Sequence, residues 1–172
     1  AASPTLPLET TVANLTMDVL QPNGPARDVV LIGAGQNELD QFLARKAAGQ
    51  GRVVTPDAKP ERGLAFRADH FPFAKRGVPA LLLMGIGGGH DLVRGGREAG
   101  DRWVADFTDR CYHKACDRWS PDWDLTGAAQ DVTLVYEMAR ELADSRNWPE
   151  WNAGSEFKAV RDATAARRSV RR

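Results

Sequence analysis

Five side chains stand out as capable of chemistry: Asp18, Asp69, His70, His113 and Asp117. Each follows or lies near the end of an apolar stretch read as a strand, or sits in the loop leaving it. Carboxylate oxygen and imidazole nitrogen are donors that zinc accepts, and a hydrolytic zinc keeps one coordination position open for water. In open parallel sheets such groups gather beyond the carboxyl ends of the strands. Taken singly, each also has an ordinary structural reading. An aspartate at a strand end forms turns, and a histidine among aromatic residues is commonly a satisfied structural side chain.

The elements that must position these groups follow from hydrophobic spacing. Thr11 to Asp18 mixes apolar and β-branched residues and is broken by Gln21-Pro-Asn-Gly-Pro25, which predicts a strand ending at or near Asp18. Arg27 to Gly33 is a continuous apolar run closed by glycine, as in a strand buried on both faces. Leu39, Phe42, Leu43 and Ala47 recur at helical steps between Glu38 and Gly49, with Asn37 as a cap. Gly51 to Pro56 reads as a short strand, His70 to Lys75 as a helix stopped at Gly77, and Val78 to Met84 as a further strand. The glycine-rich stretch from Gly85 to Arg110 shows neither period and is expected to be a long irregular excursion, with Trp103 and Phe107 as apolar contacts for a ligand side chain. It lacks the lysine and hydroxyl of a P-loop, so phosphate binding is not its expected role. Leu125 to Ala143 carries the strongest helical pattern. Strands alternating with helices predict an α/β fold with a mainly parallel sheet flanked by helices.

The chain has 172 residues, enough for one continuous core. Basic and acidic residues number 23 each, so no overall field favours nucleic acid or an anionic membrane, and neither is an expected partner. No apolar run approaches the roughly 20 residues that span a bilayer, which predicts a soluble chain. Charge is uneven along the sequence: from Ser155 to Arg172 there are six basic residues against two acidic ones. Residues 1–150 are therefore read as the α/β domain and 151–172 as a basic, helical tail, solvated or frayed in the simplest case. Cys111 and Cys116 are too few for a disulfide framework. They are two thiols, one local disulfide, or, with His113, part of a metal clip.

Three segments together carry a resemblance: Ala13-Asn-Leu-Thr-Met-Asp18, Ala68-Asp-His-Phe-Pro-Phe-Ala-Lys-Arg-Gly-Val-Pro-Ala80 and Tyr112-His-Lys-Ala-Cys-Asp117. In this order the chain resembles the zinc exopeptidases that include bacterial leucyl aminopeptidases, glutamate carboxypeptidase and glutaminyl cyclase. Trp148 to Lys158 also resembles the tail of a bacterial subgroup. The resemblance covers nearly the whole chain but only the C-terminal half of the family pattern. It implies an incomplete form of that α/β fold, and family members are often secreted or periplasmic.

In that family two zinc ions share a bridging aspartate and a water, and each ion takes two further protein ligands. The resemblance implies that Asp18 ligates one ion and His113 the other. It places Arg67, Asp69, His70 and Asp117 in supporting or substrate-side roles, with Asp69 orienting neighbours and Asp117 steadying the His113 loop. The family usually has serine at the position of Ala68, and proline and serine at Ala115 and Cys116. Its upstream His-x-Asp pair and adjacent glutamates, one of them the general base, have no counterpart here. The only acid before Thr11 is Glu9, and no histidine precedes His70.

A catalytic zinc takes about three protein ligands, so one per ion is too few for tight binding. The expected activity is hydrolysis of N-terminal peptide bonds by a site completed from outside this chain. The expected partners are a peptide substrate and either an upstream polypeptide or a second copy covering the open side. The competing expectation is a non-catalytic relative that keeps the fold as an interaction module.

Overall fold

The structure, a computed structural model, describes residues 3–169. Arg171 and Arg172 of the basic tail lie outside the described residues. Strand β1 (Asn14–Asp18) is followed by β2 (Asp28–Ile32), helix α1 (Leu39–Gly49), β3 (Val53–Pro56), the short helix α2 (Phe71–Ala74) and β4 (Ala80–Met84). Helices α3 (Gly96–Arg110), α4 (Thr126–Asp144), α5 (Lys158–Asp162) and α6 (Ala165–Ser169) complete the order.

The four strands form one sheet in the order β1-β4-β2-β3. β1 runs parallel to β4, with Asp18 opposite Met84, and β2 runs parallel to β3. The central β2–β4 contact is antiparallel, through Leu31 opposite Leu83 and Ile32 opposite Leu82. Every residue of β2 and β4 is buried, which is why both read as unbroken apolar runs. β3 lies at an edge, where Pro56 costs the ladder little for want of an amide hydrogen.

Side chains alternate across the sheet and sort the core into two layers. Val29, Leu31, Leu81 and Leu83 face α1 and α4, meeting Leu39, Phe42, Leu43, Leu134 and Met138. Val30, Ile32, Leu82 and Met84 face the other way, against Leu64, Ile86 and the half-buried Trp103, Val104, Phe107 and Tyr112. Asn37 starts α1 from the side: its Oδ1 accepts the Leu39 amide at 3.0 Å and its Nδ2 donates to the Ala80 carbonyl at 2.9 Å. One side chain thus caps the helix and fixes it to β4.

The structure corrects the expectation of an irregular Gly85–Arg110 excursion, because Gly96–Arg110 is a 15-residue helix. Gly95, Gly96 and Gly100 hide a spacing that places Trp103, Val104 and Phe107 on the sheet. The i,i+4 pairs Glu98–Arg102 and Asp106–Arg110 lie on its exposed side. The tail is not simply solvated. Trp151 is buried and donates its indole N–H to the Gly77 carbonyl at 2.9 Å. Arg161, only 1% exposed, donates to the carbonyls of Thr11 and Val12 just before β1. Burial, reinforced by the Arg168 charge, pulls the Arg161 pKa down to about 10, so its guanidinium stays charged near neutrality.

A fully buried ion pair ties the sheet to α4: Arg52, just before β3, meets Asp131 of α4 at 2.6 Å, both side chains 3% exposed. Arg52 also donates to the Asp28 carbonyl from two nitrogens. Burying both charges is expensive, so the pair is no large net gain, but removing one partner strands the other. Arg52→Met should cost about 3–5 kcal/mol in urea unfolding, and Arg52→Met with Asp131→Leu should recover most of it. A loss below about 1 kcal/mol would mean that water reaches Asp131.

Candidate functional site

β1 and β4 are parallel, so their carboxyl ends reach the same edge of the sheet. Asp18 is the last residue of β1. The chain then turns through Val19 at φ 44°, and the Val19 carbonyl accepts the Gly85 amide of the segment leaving β4 at 2.9 Å. A β-branched residue at positive φ is a true backbone outlier. Among the described residues, only one other non-glycine has positive φ: His113, at 59°. Such strain costs on the order of 1–3 kcal/mol per residue and concentrates at functional sites. Here it marks the residue after one predicted ligand and the other ligand itself.

His113 sits in a tight loop after α3. Its ring stacks on Tyr112 with centroids 3.9 Å apart, and Tyr112 packs on Phe107, which stacks on Trp103 at 5.3 Å. Cys111 and Cys116 form a disulfide that closes this loop around His113. The pairing removes both thiolates, so the structure corrects the metal-clip alternative made from Cys111, His113 and Cys116. The residue after Asp18 and the disulfide that closes the His113 loop border one depression: Val19 and Leu20 from one side, Cys111, Cys116 and Asp117 from the other. Its volume is about 800 Å3, and Trp103, Phe107, Trp119 and Trp123 give it apolar walls. Asp18 and His113 are not themselves lining residues.

The remaining predicted residues separate. Asp117 borders this depression. Arg67 and Asp69 are exposed, and Ala68 between them packs on the same sheet face as Val19 and Tyr112. His70 is buried and lines a different cavity, at the carboxyl ends of β2 and β3. Burial lowers the His70 pKa, opposed by the Ala65 backbone and the Asp69 charge. Among the described residues, no group of three or more His, Cys, Asp or Glu could hold a metal ion. The donors present therefore do not by themselves fit a catalytic zinc.

Sequence reasoning missed a buried polar cluster at the edge shared by Asp18. The fully buried Asp28 carboxylate accepts from the Thr55 hydroxyl and the Asp91 amide, each at 2.8 Å, and pairs with Arg97 at 2.6 Å. The His90 Nδ1 lies 3.5 Å away. Burial alone would raise the Asp28 pKa, but the His90 imidazole, the Thr55 hydroxyl and the Asp91 amide outweigh it and hold the carboxyl well below its ordinary range. The available signal was an aspartate opening a wholly apolar run, where a charge needs built partners.

Residues 1–137 match the family model described as peptidase family M28. The chain belongs to peptidase family M28. No curated protein and no solved structure gives a significant match. Membership accounts for the mixed α/β sheet and gives the chain a general kinship with zinc-dependent peptidases of the aminopeptidase type. No helix among the described residues is long and apolar enough to cross a membrane.

Because the fold favours neutral His70, its contribution to stability is complete above the ordinary pKa of 6.5 and is lost as pH falls below that value. Urea unfolding at pH 7.5 and pH 5 should therefore show lower stability at the acid value, with the imidazole resonance of His70 titrating below 6.5. A His70 resonance titrating at or above the ordinary value would refute this.

Proposed function

We propose that this M28 chain supplies one ligand to each ion of a two-zinc aminopeptidase centre, Asp18 to one and His113 to the other. The remaining donors and the general-base glutamate come from outside these residues. The observation that carries this reading is the paired backbone strain at Val19 and His113, on segments that border one depression at the carboxyl edge of β1 and β4. Zinc bound there in the completed centre would supply a Lewis acid and an activated water. What this chain's residues do is hold and aim the two donors. The disulfide and the Tyr112 stack restrict the His113 loop, while the Val19–Gly85 hydrogen bond fixes the turn after Asp18. The Asp117 amide closes the loop on the Lys114 carbonyl at 2.9 Å, and the aromatic walls of the depression offer apolar contact to a substrate side chain.

Among the described residues β1 pairs only with β4, so its other edge is the natural seat for an upstream polypeptide or for a second copy. A second reading, a non-catalytic interaction module, is favoured by the lack of any three-donor group among the described residues.

Two measurements test the proposal. The isolated chain should retain well under one zinc after exposure to chelator, and Asp18→Asn or His113→Ala should each weaken residual zinc binding by at least about tenfold. Chelator-resistant stoichiometric zinc would contradict the ligand count, and zinc binding indifferent to both substitutions would contradict the residues. Aminoacyl-nitroanilide hydrolysis that appears only when an upstream polypeptide is supplied supports the enzyme. Its absence, with folded protein and no response to zinc, supports the module.

A further inference from the structure

β2 and β3 are parallel neighbours whose outgoing chains part to opposite faces. From β2 the chain passes to α1, where Leu39, Phe42 and Leu43 pack with Val29 and Leu31. From β3 it passes to Leu64, Ala65 and Ala68, which pack on the other face with Val30 and Ile32. Two connections leaving in opposite directions open a crevice beyond the carboxyl ends of the strands, the place where open α/β sheets take ligands. A cavity of about 380 Å3 occupies it, bordered by Ile32 and Gly33 from β2 and by Pro56 and Asp57 from β3. That size falls within the roughly 300–1,000 Å3 of small-molecule sites. It is at the opposite edge of the sheet from Asp18.

The walls are aromatic and mutually braced. Phe71 meets Phe66 edge-on at 5.4 Å and Phe157 at 6.1 Å, and Phe157 packs on Trp151 at 4.9 Å. The indole of Trp151 is held by its bond to the Gly77 carbonyl. His70, 7% exposed, also lines the cavity. Asp57 and Glu156 contribute carboxylates, one Asp57 oxygen being taken by the Lys59 amide at 2.9 Å. Among the described residues, no lysine or arginine lines it. Ring faces carry negative quadrupole potential, so rings and carboxylates together favour a cation. The Phe71 ring already attracts one, since Lys75 Nζ lies 5.1 Å from its centroid.

We propose that this cavity is a binding site for a small aromatic amine, its ring among Phe66, Phe71 and Phe157 and its ammonium group toward Asp57 and Glu156. The site stands independently of the metal-ligand assignment, since none of its residues belongs to the depression beside Asp18.

The probes are phenethylamine and 3-phenylpropionate, similar in shape and opposite in charge, added to the full chain and followed by amide, indole and imidazole NMR shifts. Phenethylamine should give saturable shifts at the Trp151 indole and at His70, and 3-phenylpropionate should bind roughly tenfold more weakly or worse. Asp57→Asn with Glu156→Gln, two changes outside the core, should leave the fold intact and erase the discrimination. Equal binding of both probes, absence of saturable shifts at Trp151 and His70, or shifts centred on Trp103 and Trp123 would each overturn the proposal. So would discrimination that survives the double substitution.

Discussion

Leu31 faces Leu83 and Ile32 faces Leu82 across the one antiparallel pairing of the sheet, and that contact reverses strand polarity at its centre. A wholly parallel sheet would send every carboxyl end to one edge. Here β1 and β4 deliver theirs to one edge, while β2 and β3 deliver theirs to the other. Loops that leave strand ends carry the polar and variable side chains, so this reversal gives the molecule two chemically distinct edges. Asp18, the segment after Gly85 and the His113 loop belong to the first; His70 and the aromatic cavity belong to the second.

The reversal also brings the start of β2 beside the exit from β4, where Asp28 is wholly buried. An isolated buried carboxylate costs several kcal/mol, so it persists only with its lone pairs satisfied. Its partners come from three places: Thr55 on β3, Asp91 on the loop after β4, and Arg97 at the start of α3. Arg52 then joins the Asp28 carbonyl to Asp131 on α4. Polar contacts of this kind are directional, whereas apolar packing tolerates sliding. The cluster therefore sets where the β4 loop and α3 lie relative to β2, β3 and α4, even where its net energetic gain is small.

Legibility in the sequence followed burial symmetry. β2 and β4 could be read because both faces are apolar, and α1 and α4 because each presents one apolar stripe to a single layer. The location of Asp18 at a strand end was equally visible, since the Gln21–Pro25 break leaves the strand nowhere to continue. The Asp28 cluster was not visible, because its members are scattered along the chain and each looks ordinary until the fold brings them together. The antiparallel junction was hidden for a similar reason: a strand buried on both faces reads alike in either direction. Arg161 and Trp151 show the same limit in the tail, where composition indicates solvent and tertiary contact overrides it.

The glycines of the β4–α3 segment suggest irregularity in the sequence, yet Gly89 and Gly100 serve close packing. A Cβ on Gly100 would lie 2.1 Å from the His90 carbonyl oxygen, and one on Gly89 would lie 2.2 Å from the Asp101 amide nitrogen. Neither distance is tolerable, so α3 can press against the loop carrying His90 only because both positions lack a side chain. The Gly89 amide in turn donates to Asp101 at 3.1 Å, and Arg97 reaches from α3 to the Gly89 carbonyl and to Asp28. That contact orients α3 so that Trp103, Val104 and Phe107 cover the sheet. It thereby determines where the helix ends and where the disulfide-closed loop presents His113. The position of one candidate metal ligand thus depends, through a glycine contact and a buried carboxylate, on residues that carry no chemistry of their own.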